Sequence, residues 1–484
     1  NSYLSLATNI ENLNLQSKNN ITTTGSVNAN KIDMLSTLGD ISIGGSFTSK
    51  SSSNLNSGKD LLINGLVAAN GNLKLDAKNN IDIKNSVKAN DIAINSAGYL
   101  SVKGAIESAK SLVVNSGDYI QVDDNIKAVD VANLKSVNSI VIKKDIKSDQ
   151  IGLESTNSDI TIDGKIEALT KIEALSGGKI TLNNPLISKN INITSKDLLY
   201  VNGYVNAYDA YLKSINGDIT VKGGITASNI LDIDAKGLLN FSGDINSDNI
   251  LDITASSMNL VNSKVVSKKA LNLETTQGDI TLDKSLIQSK EDSVSVKSKN
   301  KLALKNASYI SAFNTMDIQA DSLEVDKSSI SSGKKLTIHN NNLPLSSFSN
   351  INNSIVISED DDVEIAANNI TNTDSKVIAG KNIHFKTKDF INTHGLIFAI
   401  NDVTIDDGIG GRANSIVNKE ADIVAFDGNL TLKASTITNE GKAPTFIEDG
   451  YIATWYETAS GSSAEIFEDT YKLFKDEVRK VGRE

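Results

Sequence analysis

Pairs of apolar residues, split by a single intervening position, return along this chain every twenty residues. The first members of these pairs are Ile21, Ile41, Leu61, Ile81, Leu100, Ile120, Ile140, Ile160, Ile180, Leu199, Ile219 and Leu239, with gaps of 20 or 19 throughout. The beat continues more loosely at Met258, Ile280, Leu302 and Leu323. Alternation with period two is a strand signature, and each unit carries three such sets. The second set falls about six residues after the first, at Val27, Phe47, Val67, Val87, Ile106, Ile126, Ile146, Ile166, Ile187, Val205, Ile225 and Ile245. The third is another alternating pair, as in Ile92 with Ile94, Ile151 with Leu153, Ile191 with Ile193, or Leu231 with Ile233. Three short strands per turn, each lying on its counterpart in the next turn, predict an all-β parallel β-helix.

The turns point the same way. Two residues before the twelve anchors stand Asn19, Gly39, Lys59, Asn79, Gly98, Asp118, Asn138, Ser158, Gly178, Asp197, Gly217 and Gly237. Ten of these twelve are Gly, Asn or Asp, which tolerate a left-handed backbone, so a left-handed corner is expected once per coil. So many Gly and Asn would break helices of comparable length. One coil buries only four or five large aliphatic side chains, too few to fold alone, so stability has to grow coil by coil. With roughly 4.8 Å between stacked strands, the stretch from Ile21 to Leu323 predicts a rod on the order of 70 Å long. Leu4, Leu6, Leu13 and Leu15 already read as mid-coil residues, so the chain is expected to be a piece of a longer rod, with any secretion signal outside it.

Four segments emerge. Regular repeats occupy 1–338, and HNNNLPLSSFSN at 339–350 lacks strand alternation and reads as an irregular coil or protruding loop. Repeats of a second style fill 351–441, with Asn372, Asn392, Asn418 and Asn439 expected at matching corners. The segment 442–484 is different in kind. It holds seven of the chain's 23 aromatic residues, among them Phe446, Tyr451, Trp455 and Tyr456. Ser462 and Glu465 have capping-box spacing ahead of an amphipathic helical pattern that runs through Phe467, Tyr471, Phe474 and Val478. It reads as a cap over the solenoid or as the start of a partner-binding region, with Phe446, Tyr451, Trp455 and Tyr456 as the candidate contacts.

Composition narrows the function. The chain of 484 residues has no cysteine and three prolines, which removes disulfide frameworks, thiolate zinc sites, cysteine nucleophiles and Pro-rich linkers. A net charge of −11 disfavours nucleic acid and polybasic docking to anionic membranes. No apolar run is long enough to cross a bilayer as a helix. Arginine is confined to Arg412, Arg479 and Arg483, so bidentate carboxylate or phosphate grips are scarce.

The coil length, together with INNxxG-like and AGxNIxF-like phrases (the latter seen in NNITNTDSKVIAGKNIHF from Asn368), resembles the haemagglutinin-type repeats of two-partner-secretion exoproteins. Filamentous haemagglutinins and contact-dependent growth-inhibition toxin-delivery proteins form that group, and the resemblance covers about residues 1–441. It implies a right-handed, single-stranded parallel β-helix, secretion through an outer-membrane transporter, and a stalk displayed on the surface of a Gram-negative bacterium. Its partner would be an outer-membrane receptor or another component of a host or neighbouring cell. In the toxin-delivery branch a receptor-recognising region follows the first repeat block, where Phe446 begins the aromatic segment here.

Candidate chemistry is thin. Alternation turns His384 outward, His394 lies in a turn and His339 in the irregular stretch, so they read as surface residues and no metal or catalytic set is expected. Asp40 and Asp60 share a register in adjacent coils, with Asp159, Asp218 and Asp279 at the same corner further on. Stacked carboxylates serve polysaccharide-cleaving β-helix enzymes, yet in a Gly-Asp turn an aspartate simply accepts nearby backbone N–H groups. Glu359–Asp362 and Asp406-Asp407-Gly408 lack the spacing of a calcium loop. Tyr99 and Tyr119 share a register and are expected to stack, while Tyr200, Tyr204, Tyr208 and Tyr211 crowd one coil as a possible glycan or protein contact. The sequence therefore points to a non-enzymatic stalk with no catalytic residue, cofactor or metal, presenting an adhesive or receptor-binding and toxin-delivery tip. The alternative is a polysaccharide-degrading or glycan-binding β-helix protein of the tailspike or lyase kind.

Overall fold

A computed structural model of the chain describes residues 2–4, 10–341, 343–409 and 411–441. All regular structure in these residues is β-strand, and each strand pairs in parallel with its counterparts one coil before and after. This is the architecture expected of a right-handed parallel β-helix. The chain divides into two compact units, one ending at Asn240 and the other beginning at Phe241.

In the first unit a coil is read directly from the twenty-residue beat. Strands Ile81–Ile83, Val87–Ala89 and Ile92–Ser96 make one turn, and Leu100–Val102, Ile106–Ser108 and Ser111–Ser116 make the next. Ile81 pairs with Leu100, Val87 with Ile106 and Ile92 with Leu112, so like residues stack on like. Every anchor from Ile21 to Leu239 is buried, and the alternate residue of each strand faces out. Full burial of one such side chain stabilises by about 1.5–3 kcal/mol. One member of the second set is corrected. Leu186, not Ile187, stacks between Ile166 and Val205, and Ile187 turns outward.

The corners also differ from expectation. None of the twelve residues two places before the anchors has a left-handed backbone. Glycine is favoured there by close approach instead. A Cβ on Gly98 would sit 2.2 Å from Asn80 Oδ1, and one on Gly237 would sit 2.2 Å from Asp218 Oδ1. The corner before it holds a buried serine ladder that the apolar pattern does not announce. Ser36, Ser57, Ser96, Ser116, Ser136, Ser155, Ser176, Ser195 and Ser214 lie in register, interrupted only by Ala77. Their hydroxyls bond the turn that follows, as in Ser57 Oγ donating to the Asp60 carbonyl (2.7 Å), or the turn of the preceding coil, as in Ser116 Oγ donating to the Gly98 carbonyl (2.7 Å).

The second unit uses a different corner. Asn262, Lys284, Lys327, Asp374, His394 and Glu420 each take a left-handed conformation, with φ between 47° and 50°. A small residue follows each of them. Ser263, Ser285, Ser308, Ser328, Ser354 and Ser375 stack so that each backbone N–H donates to the next hydroxyl at 3.1–3.2 Å. The expected corner asparagines do align, and they form a ladder that is buried at Asn372 and Asn392, half-buried at Asn418 and exposed at Asn439. Asn372 Nδ2 donates to Asn392 Oδ1 (2.7 Å), Asn392 to Asn418 (2.8 Å) and Asn418 to Asn439 (2.8 Å). A further rung, Asn350 Nδ2 to Asn372 Oδ1 (2.8 Å), lies within the stretch expected to be irregular. That stretch holds strand Leu345–Ile351, and Phe348 carries the core beat from Leu323 to Ile370. The twenty-residue beat was hidden there by an insertion ahead of the strand.

Alternation fails as a guide to burial along one column of the second unit. Ile357, Ile378 and Phe398 sit on the opposite side of their strands from the core residues Val356, Val377 and Ile397, yet they are buried with Tyr309 in a second apolar cluster. Burial pushes the Tyr309 phenol up to about 12.

Candidate functional site

The aspartates that the sequence offers as a catalytic rival are occupied by the fold. Asp40 Oδ1 accepts the Asp60 amide (3.2 Å), Asp60 Oδ1 the Asn80 amide (3.0 Å), and Asp159 Oδ1 the Lys179 amide (2.8 Å). Asp218 Oδ1 accepts the Leu238 amide (2.8 Å) and Asp279 Oδ1 the Lys301 amide (3.1 Å). The acceptors were expected to serve their own turn. They reach the next coil instead, so each carboxylate ties two coils together.

Each histidine faces a carboxylate one coil away. His339 Nε2 is 2.8 Å from Asp317 Oδ1, and His384 Nε2 is 3.0 Å from Asp406 Oδ1. His394 lies 3.3 Å from Asp374 and 3.4 Å from Glu420. Burial raises the Asp406 carboxyl, but the bonds from His384 and the Gly408 amide outweigh it and leave it below the usual carboxylate range. No group of three or more His, Asp or Glu side chains among the described residues converges as a metal site would require.

The tyrosines behave in two ways. Tyr99 and Tyr119 stack with centroids 5.0 Å apart and planes 7° from parallel, as their shared register predicts. Tyr204, Tyr208 and Tyr211 are exposed. Tyr200 belongs to strand Leu199–Val201, whereas Tyr208 and Tyr211 lie in Val205–Ser214. No ring pair among the described residues joins any of these four. Crowding along the chain is not convergence here. Lys189 Nζ stands 6.0 Å from the Tyr208 ring centroid, at the edge of cation–π range. Phe446, Tyr451, Trp455 and Tyr456, and the expected terminal helix, lie outside the described residues.

A site that the sequence reading did not assemble lies on the second unit. Between the paired positions Ile338 and Leu345 stand residues 339–344, where the next coil has only Ala366. Between Asp406 and Ser415 stand residues 407–414, opposite only Thr387 and Lys388. Two insertions thus leave the same corner three coils apart, about 14 Å at the usual strand spacing. The first is closed by a two-way bond between Asn340 and Leu343, with N···O distances of 2.8 and 2.7 Å. The second is held by Asp407 Oδ1, which accepts the amides of Ile409 (3.1 Å) and Gly411 (2.7 Å).

The two intervening coils form the floor of a cleft of about 630 Å³, within the ~300–1,000 Å³ range of small-molecule sites. Its carboxylates are spoken for. Glu364 bonds Lys335 (2.8 Å) and Lys386. Burial works to raise the Glu364 carboxyl, but these two lysines outweigh it and hold it down at about 2. Lys388 and Arg412 also line the cleft and are exposed, and neither pairs with a carboxylate among the described residues. Pro344 and the loose, polar wording of 339–350 were the only sequence signal of this site. The other wall, 407–414, gave none beyond its Asp-Asp-Gly turn.

No helix among the described residues is long and apolar enough to cross a membrane. No protein-family model, no curated protein and no solved structure matches this chain.

Proposed function

We propose that this chain is a non-enzymatic stalk segment of a secreted bacterial exoprotein of the filamentous-haemagglutinin type. It carries an adhesive or receptor-binding and toxin-delivery tip towards a neighbouring or host cell. The observation that supports this reading most is the use of the corner side chains. The stacked aspartates and asparagines, and serines such as Ser116, join one coil to the next. A chain whose polar machinery serves its own repetition is suited to spanning distance. In the cleft, Glu364 is held ionised between Lys335 and Lys386, which does not suit the protonated acid of a glycosidase.

On this reading the protein passes an outer-membrane transporter and is displayed on a Gram-negative surface. The test is surface labelling of intact cells that carry the full gene, with and without an outer-membrane transporter of the two-partner type from the same cell. Labelling that depends on the transporter is expected. A protein found in the cytoplasmic fraction of both strains would refute the proposal, as would release of reducing ends from acidic or neutral glycans that is lost on mutation of Asp40 and Asp60.

A further inference from the structure

We propose that the cleft between the two insertions binds an acidic oligosaccharide, one containing uronic-acid units. The inference stands apart from the stalk proposal and concerns only this face of the second unit.

Charge comes first. In a chain of net charge −11, this cleft carries a local surplus of positive charge. Glu364 is neutralised by Lys335 and Lys386, and Asp407 spends Oδ1 on the amides of its own turn. Lys388 and Arg412 remain as donors without a described carboxylate. A guanidinium takes a carboxylate with two parallel hydrogen bonds, which a point charge cannot do.

Shape and polarity come second. Both walls carry an aliphatic side chain held out in solvent. Leu343 is 66% exposed on one side and Ile409 is 91% exposed on the other. These two side chains offer apolar surface on either side of the cleft, against which the C–H faces of a sugar ring can pack. The floor argues against a peptide. Strand Val363–Thr373 is paired on one side with Leu345–Ile351 and on the other with Ile383–Thr393. It therefore has no free edge to take an added strand. Ligand recognition there must rest on side chains, which suits hydroxyl-rich rings.

The experiment is titration calorimetry of the full chain with a tetrasaccharide of galacturonic acid, against the neutral tetrasaccharide of galactose. Binding of the acidic sugar is expected, at least about tenfold tighter than the neutral one, and weakened at least about tenfold in Lys388→Gln/Arg412→Gln. Leu343→Ser/Ile409→Ser is expected to weaken it as well, which a bare anion site would not show. Each variant's melting temperature is measured first. If the double variant melts early, Lys388→Gln alone is read, because that side chain is exposed and its loss leaves the fold intact. No heat with the acidic sugar overturns the proposal. So do equal affinity for the neutral sugar, complete displacement by sulfate, and equal binding of a polyglutamate peptide.

Discussion

Replacing Asn372 with alanine isolates the contribution of the asparagine ladder to the second unit. Asn372 is fully buried. Its Nδ2 donates to Asn392 Oδ1 (2.7 Å) and to the Ser375 carbonyl (3.0 Å), and its Oδ1 accepts from Asn350 Nδ2 (2.8 Å). Truncation leaves Asn392 Oδ1 buried without a donor, while the Ser375 carbonyl keeps the Leu396 amide (3.0 Å). Asn350 Nδ2 keeps its second bond, to the Lys376 carbonyl (3.0 Å). A buried polar group left unsatisfied costs about 1–3 kcal/mol, and that is the loss expected here. Asn372→Leu refills most of the volume and restores no bond, so it is expected to remain at least about 1 kcal/mol less stable than the parent chain. The assay is urea denaturation combined with hydrogen exchange of residues 345–420, because a stack of coils need not unfold in one step. Asn272→Ala serves as the control. Asn272 makes a similar bond to Asp252 (2.7 Å) at the exposed surface, where about 0.5 kcal/mol or less is expected. A loss below about 1 kcal/mol in Asn372→Ala, or full stability in Asn372→Leu, would refute the reasoning.

Three further outcomes follow from the same geometry. Lys327 holds φ at 48°, a conformation that costs a side-chain-bearing residue about 1–2 kcal/mol. Lys327→Gly is therefore expected to stabilise by about 0.5–1 kcal/mol net of its greater unfolded-state entropy, and a lower urea midpoint would contradict this. Ala77 breaks the first unit's serine ladder between Ser57 and Ser96. Ala77→Ser should add a hydroxyl bond to the following turn and raise stability by about 0.5–1 kcal/mol, and a loss in the melting temperature would exclude a favourable ladder. Glu364 has its carboxyl lowered to about 2 in the folded chain, so its stabilising effect is present above the unfolded value of about 4.3 and fades as the pH falls towards 2. The stability difference between the parent and Glu364→Gln should therefore be constant at neutral pH and shrink below about pH 4.5. A difference unchanged at pH 3 would show that the two lysines do not stabilise the carboxylate.

The sequence by itself determined the parallel β-helix, its coil length and most of its core. A residue such as Ile120 has only one way to be buried, on the like residues Leu100 and Ile140 of adjacent coils. Period-two alternation with a fixed repeat records that directly. The strand phase at Leu186 was not recorded, because Leu186 and Ile187 are equally apolar and only the neighbouring coils decide which one faces in. Corner conformation was likewise left open. Gly, Asn and Asp satisfy a left-handed turn and a close coil-to-coil approach alike, and the structure chooses the second in the first unit and the first in the other. Phe348 was lost from the beat because residues 339–344 displaced it in number without displacing it in space. The cleft illustrates the general reason. Its walls are 68 residues apart at Pro344 and Arg412, and only the register of the intervening coils sets them on the same corner. Local pattern specifies what each coil is made of, while stacking decides which coils, and which insertions, stand beside one another.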